Sequence, residues 1–268
     1  MPAIKKLLLR TLVLLFVLYT LICVALYFFQ EKLIFFPEKL DKDHKFLFNQ
    51  PFEEINIPVT NGKSIHGVLF TSDTSKGLIF YLHGNAGSVN SWGDVAKCYT
   101  DLHYNVFILD YPGYGKSEGP IKSQERLFED IQITYNEMKK RFDEDRIVIL
   151  GYSIGTGPAS KLASTNHPKL LILQAPYYSL KDMMRHTYPI IPTFLLKYKF
   201  QTNQYLKDCK MPVIIFHGDQ DEVIYYESSL KLKKEMKTGD TLITLNRQRH
   251  NGITDNPQYV TAIKAFLK

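Results

Sequence analysis

Residues 11–29, T-L-V-L-L-F-V-L-Y-T-L-I-C-V-A-L-Y-F-F, contain no charged side chain and almost no polar one. At about 1.5 Å per residue a helix of this run reaches roughly 28 Å, close to the thickness of a bilayer's hydrocarbon core. Arg10 and Lys32 bracket it, and Tyr27, Phe28 and Phe29 stand where interfacial aromatics gather. A cleaved signal peptide would have a shorter apolar stretch ending in small residues. A buried soluble helix of this length would show a polar face. A lipoprotein signal at Cys23 is disfavoured by the bulky Ile22 before it. The run therefore reads as an uncleaved transmembrane anchor, residues 1–30. Lys5, Lys6 and Arg10 favour an inside N-terminus, while Lys32, Lys39, Lys42 and Lys45 pull the other way. On balance the expectation is a single-pass protein with its larger part on the non-cytoplasmic side.

From Pro51 onward the pattern changes to short apolar runs separated by longer amphipathic ones. Phe52 to Val59 and Ser64 to Thr71 read as a hairpin around Asn61-Gly62. Runs 77–82, 105–110, 146–151, 170–174, 213–216 and 241–245 are apolar enough to be strands covered on both faces. Between them, Leu127, Ile131, Tyr135, Met138 and Phe142 recur at helical spacing. Tyr259, Ile263, Phe266 and Leu267 do the same behind Asn256 as N-cap and Pro257 at the first helical position. This alternation predicts an α/β chain with a mainly parallel sheet and helices on both faces. No internal repeat or low-complexity segment is visible.

Charge and cysteines narrow the classes. The 268-residue chain carries a formal net charge of +6. Without a Lys/Arg run, a zinc spacing or an RNA-recognition signature, this points to an anionic lipid surface rather than to nucleic acid. Three cysteines, one of them in the anchor, exclude a disulfide framework.

The chemistry concentrates at Gly151-Tyr152-Ser153-Ile154-Gly155, a G-x-S-x-G motif. It follows the strand R-I-V-I-L and precedes a helix-like stretch of small residues, the context a nucleophile elbow requires. The bland alternative is a glycine-rich strand-to-helix turn. An elbow serine demands an acid and then a histidine later in the chain. Asp219, Asp221 and Glu222 cluster after the strand 213–216, and among the histidines only His250 follows them. The predicted roles are Ser153 as nucleophile, His250 as general base and one of the three acids as its orienter. The oxyanion that forms needs two backbone donors. Ile154 and Asn85 are assigned to these, the latter in the loop His83-Gly84-Asn85-Ala86-Gly87. His83 precedes the serine and reads as a structural histidine beneath that loop.

Taken together, H-G-N-A-G (83–87), D-Y-P-G-Y-G-K-S-E-G (110–119), G-Y-S-I-G (151–155), H-G-D-Q-D-E-V-I (217–224) and R-H-N (249–251) resemble the membrane-anchored α/β-hydrolase-domain family. That family includes depalmitoylase-like and serine aminopeptidase-like members. The resemblance spans roughly residues 30–268, and Q-E-K-L-I-F-F-P (30–37) is similar to the family's entry segment. It implies the α/β-hydrolase fold over 31–268 and makes Asp221 the acid. One departure is Arg249, where the family usually has glycine.

Gly115-Lys116-Ser117 imitates the end of a phosphate-binding loop, but Asp110 stands where that loop needs glycine. The glycines at 113, 115 and 119 instead read as a turn near the site. No H-E-x-x-H or paired-cysteine site occurs, so neither a metal nor another cofactor is expected. Residues Tyr177 to Lys210 form an insertion mixing Met183, Met184, Tyr188, Ile190, Ile191 and Phe194 with several lysines. It reads as a small helical cap, either plain packing or a lid over an acyl chain. The expected activity is hydrolysis of carboxylic esters or thioesters through an acyl-enzyme, with acyl or lipid substrates. A serine peptidase or amidase and a non-catalytic membrane-bound binding protein are the alternatives.

Overall fold

The computed structural model describes residues 2–268. Helix α1, Pro2–Phe28, is exposed from Ala3 onward except at Cys23 and Leu26, which are half-buried, and by length and composition it is long and apolar enough to cross a membrane. A short helix α2, Gln30–Ile34, follows, and then the chain enters the domain through Phe36–Pro37.

The domain is built on eight strands: β1 Phe52–Val59, β2 Lys63–Phe70, β3 Leu78–Leu82, β4 Asn105–Leu109, β5 Ile147–Tyr152, β6 Leu170–Gln174, β7 Val213–Gly218 and β8 Thr241–Leu245. Their order in the sheet is β8-β7-β6-β5-β3-β4-β2-β1. The hairpin β1–β2 is antiparallel, β2 runs antiparallel to β4, and the remaining pairs are parallel. The turn of the hairpin is one 3-10 turn, Thr60–Gly62, with Gly62 left-handed at φ 67°.

Strand alternation splits the core in two. On β5, Ile147 and Ile149 pack on one face with Phe80, Ile131 and Tyr135. Val148 and Leu150 pack on the other with Ile79, Tyr99, Tyr259 and Ile263. Helix α3, Gln124–Lys139, and helix α4, Thr156–Ser164, cover the first face. Ser123 caps α3 by accepting from the Arg126 amide, and Asn256 caps the C-terminal helix Pro257–Phe266.

The insertion between β6 and β7 is less helical than its residue pattern suggests. Only Leu180–Thr187 and Thr202–Asp208 are α-helical. Between them, Pro189 and Pro192 remove two amide donors, and the chain makes a single 3-10 turn at Thr193–Leu195. Cys98 and Cys209 are free.

Candidate active site

Parallel pairing places the ends of β3 and β5 side by side, with Leu82 opposite Gly151. The loop after β3 and the turn after β5 therefore meet at one rim. At the other side of this rim, Leu245 of β8 lies opposite Gly218 of β7, which brings the acidic loop and the His250 loop together.

Ser153 sits at the tightest point of the rim, with φ at 52°. A left-handed non-glycine residue is strained by about 1 kcal/mol or more, and the surroundings hold it there. The flanking glycines are required by close approach. A Cβ on Gly151 would lie 2.6 Å from the Ala159 Cβ, and one on Gly155 would strike the carbonyl oxygens of Leu82 and His83. The motif is thus a packing condition on β3, β5 and α4.

Ser153 Oγ lies 3.1 Å from His250 Nε2, and His250 Nδ1 lies 2.8 Å from Asp221 Oδ2. An ionised carboxylate only accepts, so Nδ1 carries the proton and Nε2 is left to accept from the serine hydroxyl. Ser153 and His250 are each only 6% exposed. Tyr152 fixes the histidine from below, its hydroxyl donating to the His250 carbonyl at 2.7 Å.

Asp221 is saturated with donors. Its Oδ1 accepts from the Val223 and Ile224 amides, each at 2.8 Å. Burial pushes its carboxyl up, but hydrogen bonds from His217 and His250 outweigh burial and hold it well below the usual carboxylate range. His217 is itself fully buried, with Nε2 2.9 Å from the Ile224 carbonyl and 3.2 Å from Asp221 Oδ2. Of the other two acids, Glu222 pairs with Arg249 at 3.0 Å and accepts from the His250 amide, while Asp219 is exposed.

The two assigned backbone donors are oriented through the carbonyls of their own peptide units, because N–H and C=O of a trans peptide point in opposite directions. The Asn85 amide shares its peptide with the Gly84 carbonyl, which accepts from His83 Nδ1 at 2.7 Å. The Ile154 amide shares its peptide with the Ser153 carbonyl, which accepts from Thr156 Oγ1 at 2.6 Å. His83 is fully buried, and burial lowers its pKa, so the imidazole is neutral and donates from Nδ1. It lies against Trp92, Tyr111 and Tyr114.

The glycine turn 110–119 serves this loop. Asp110 accepts from the Val89 amide at 2.7 Å, and Ser117 Oγ donates to the Asp110 carbonyl. The turn aims Tyr114 so that its hydroxyl donates to the Asn85 carbonyl at 2.7 Å. On the elbow side, the Tyr177 hydroxyl donates to the Ile154 carbonyl at 3.0 Å. Tyr114, Tyr152, Tyr177 and His217 escape motif reading because a buried tyrosine or histidine has no sequence signature of its partner. Among the described residues no group of three His, Cys, Asp or Glu is arranged to hold a metal ion.

Comparison with known proteins agrees with this architecture. The family described as serine aminopeptidase, S33 (Hydrolase_4) matches residues 73–204. Protein bem46 of Schizosaccharomyces pombe is 29% identical over 188 residues, which cover 66% of this chain and 63% of that protein. The α/β-hydrolase domain-containing protein 17C of Xenopus tropicalis is 28% identical over 216 residues, 78% of this chain and 67% of its own. Among solved structures, the Pyrococcus furiosus esterase Pf2001 superposes with a TM-score of 0.69 at 16% identity, covering 87% of this chain and 96% of that one. Est1E of Butyrivibrio proteoclasticus gives a TM-score of 0.62 at 18% identity, covering 80% and 97%.

Proposed function

We propose that this chain, a member of the α/β-hydrolase family, is a membrane-anchored serine hydrolase that cleaves carboxylic ester or thioester bonds of acyl or lipid substrates. The observation that carries the proposal is the relay Ser153 Oγ–His250 Nε2–His250 Nδ1–Asp221 at 3.1 and 2.8 Å, on a serine held at positive φ. Ser153 attacks the carbonyl carbon while His250 Nε2 takes its proton, and the negative charge moves to the carbonyl oxygen. The amides of Asn85 and Ile154 stabilise that oxyanion. As the tetrahedral adduct collapses, His250 gives its proton to the leaving oxygen or sulfur and an acyl-serine remains. Water then repeats the sequence and releases the acid, restoring Ser153. Asp221 stays ionised throughout and balances the imidazolium.

Two exposed apolar side chains favour an acyl substrate. Phe36 (54% exposed) stands beside Asn85, and Val223 (53% exposed) lies two residues from Asp221. Helix α1 would hold this rim at a lipid surface. The matched family's description raises a second reading, an aminopeptidase. Such an enzyme needs a free carboxylate for the substrate's α-amine. Glu222, the acid beside the relay, is held by Arg249 and the His250 amide, which leaves the exposed Asp219 as the carboxylate such an enzyme would have to use.

A fluorophosphonate probe on the wild type, Ser153→Ala and His250→Ala tests the proposal. Wild type should label covalently and both variants should not. An unlabelled, folded wild type would leave a binding protein. Profiling acetyl, long-chain acyl, acyl-thioester and peptide substrates then separates the classes.

A further inference from the structure

We infer that the segment Tyr188–Leu196 of the insertion is buried in the lipid bilayer alongside α1, so that the domain rests on the membrane at two points rather than hanging from one helix. This rests on the reading of α1 as a membrane anchor and is independent of the chemistry assigned to Ser153.

The sequence of the segment is Y-P-I-I-P-T-F-L-L, without one charged side chain. Tyr188, Ile190 and Phe194 are 62%, 77% and 82% exposed. Three large apolar side chains turned outward within seven residues form a patch that water does not favour. The occupant is indicated by what the segment already touches. Tyr19 of α1 donates its hydroxyl to the Ile190 carbonyl at 2.7 Å. Tyr19 lies nine residues before the end of α1 at Phe28, about 13 Å along the helix axis. If α1 crosses a bilayer, Tyr19 lies inside the hydrocarbon layer, and the Ile190 backbone lies beside it.

The join is built at the base as well. Gln30 is buried; its Nε2 donates to the Leu195 carbonyl at 3.0 Å and its Oε1 accepts from the Lys197 amide at 2.7 Å. Lys197 pairs with Glu31 at 3.2 Å and lies 4.9 Å over the Tyr27 ring. These contacts fix the loop at one height on the helix.

A medium without water makes each unpaired amide or carbonyl costly, and the segment's backbone is paired in part: the amides of Ile190, Thr193 and Phe194 have no partner within the protein, while the others are absent or bonded. Pro189 and Pro192 have no N–H. The amides of Tyr188, Ile191, Leu195 and Leu196 bond to the carbonyls of Met184, Tyr188, Pro192 and Thr193. The carbonyls of Ile190 and Leu195 are taken by Tyr19 and Gln30. In sequence the segment is flanked by cations, Arg185 before it and Lys197 and Lys199 after it, as apolar segments that meet a lipid interface commonly are.

The test uses the full chain in phosphatidylcholine–phosphatidylglycerol vesicles, with Cys23 and Cys98 replaced by alanine and the buried Cys209 left. Single cysteines at Ile190→Cys, Phe194→Cys, Leu14→Cys on α1 and Asp73→Cys at the far edge of the sheet carry an environment-sensitive fluorophore. Phospholipids bearing nitroxides on their acyl chains serve as quenchers. All four positions are exposed, and circular dichroism checks that each variant folds. The expected result is blue-shifted, nitroxide-quenched emission from 14, 190 and 194, and water-like, unquenched emission from 73. Quenching at 14 with water-like emission at 190 and 194 overturns the inference and leaves the anchor standing. A blue shift at 190 and 194 without nitroxide quenching assigns the patch to a second protein copy, and also overturns it. Unquenched emission at 14 overturns the anchor and the inference together.

Discussion

The backbone amide of Phe36 donates to the side-chain oxygen of Asn85 at 3.3 Å, so the chain leaving α2 grips the residue assigned as an oxyanion donor. Phe36–Pro37 runs parallel to Ala86–Gly87, and the Glu38 amide donates to the Gly87 carbonyl at 2.9 Å. The same strand reaches the glycine turn, where the Gly115 amide donates to the Glu38 carbonyl at 2.7 Å and the Leu40 amide to the Gly115 carbonyl at 3.0 Å. Residues 36–40 are therefore a brace between two loops of the site as well as a tether. Removing residues 1–29 should keep turnover of a soluble short-chain ester within a few fold. Removing residues 1–40 should lower kcat by about 10²–10³, comparable to the loss of one oxyanion donor. Steady-state kinetics on the two truncations checks this.

His83 acts on the same loop from the core side. Replacing it with phenylalanine keeps the ring packing against Trp92 and Tyr111 but removes the donor to the Gly84 carbonyl. If Asn85 supplies an oxyanion donor as proposed, the freed peptide unit should hold that amide less firmly. His83→Phe should lower kcat by about 10–10² while KM changes little, because the lost interaction belongs to the transition state. If kcat falls no further than in a neutral surface variant, His83 is only packing.

Much of this was legible in the sequence, and the limits are physical. The central strands announce themselves because strands covered on both faces are apolar throughout, as Ile147–Leu150 are, and the half-exposed β1–β2 hairpin by its Asn61-Gly62 turn. The elbow is legible because Gly151 and Gly155 are forced by backbone approach, which no other residue satisfies. In the sequence only the family resemblance favours Asp221 over Asp219 and Glu222, since three acids within four residues have no periodicity to separate them. In the folded chain the difference is plain: only Asp221 lies under the Val223 and Ile224 amides, facing His250. The brace at 36–40 and the tyrosines at 114 and 177 were not legible, because each depends on partners brought close by the fold alone. The prolines at 189 and 192 stand in the sequence, yet the apolar residues around them suggest a helical cap, and the chain instead makes only a 3-10 turn there.

The depressed pKa of Asp221 sets an acid limit on stability. The unfolded carboxyl titrates near about 3.9, and the folded one lower. Stability from this group is fully present above the unfolded value and is lost as pH falls toward the folded one. Urea unfolding of wild type and Asp221→Asn should show a stability gap that is constant above about pH 5 and narrows below about pH 4. The same variant should lose about 10⁴ in kcat, because an amide at 221 offers no ionised acceptor to hold the proton on Nδ1. A gap that instead widens on acidification would contradict the assigned hydrogen bonds.

Arg249 departs from the family pattern immediately before the proposed base, and the loop shows why it is tolerated. Glycine is needed where φ is positive, and in this loop the left-handed positions are Arg247 at 54° and Gly252 at 78°, not 249. The Arg249 side chain is 71% exposed and pairs with Glu222, whose other contact is the His250 amide. An exposed pair of this kind contributes roughly 0–1 kcal/mol and is screened by salt. Arg249→Gly should therefore cost less than about 1 kcal/mol in stability, with kcat within about threefold of wild type and a difference that shrinks further at high ionic strength. Glu222→Gln, which removes the charge but keeps an acceptor for the His250 amide, should behave alike. A large loss of kcat in Arg249→Gly that salt does not reduce would mean that the arginine touches the substrate, and would place a cation in the site where the present geometry has none.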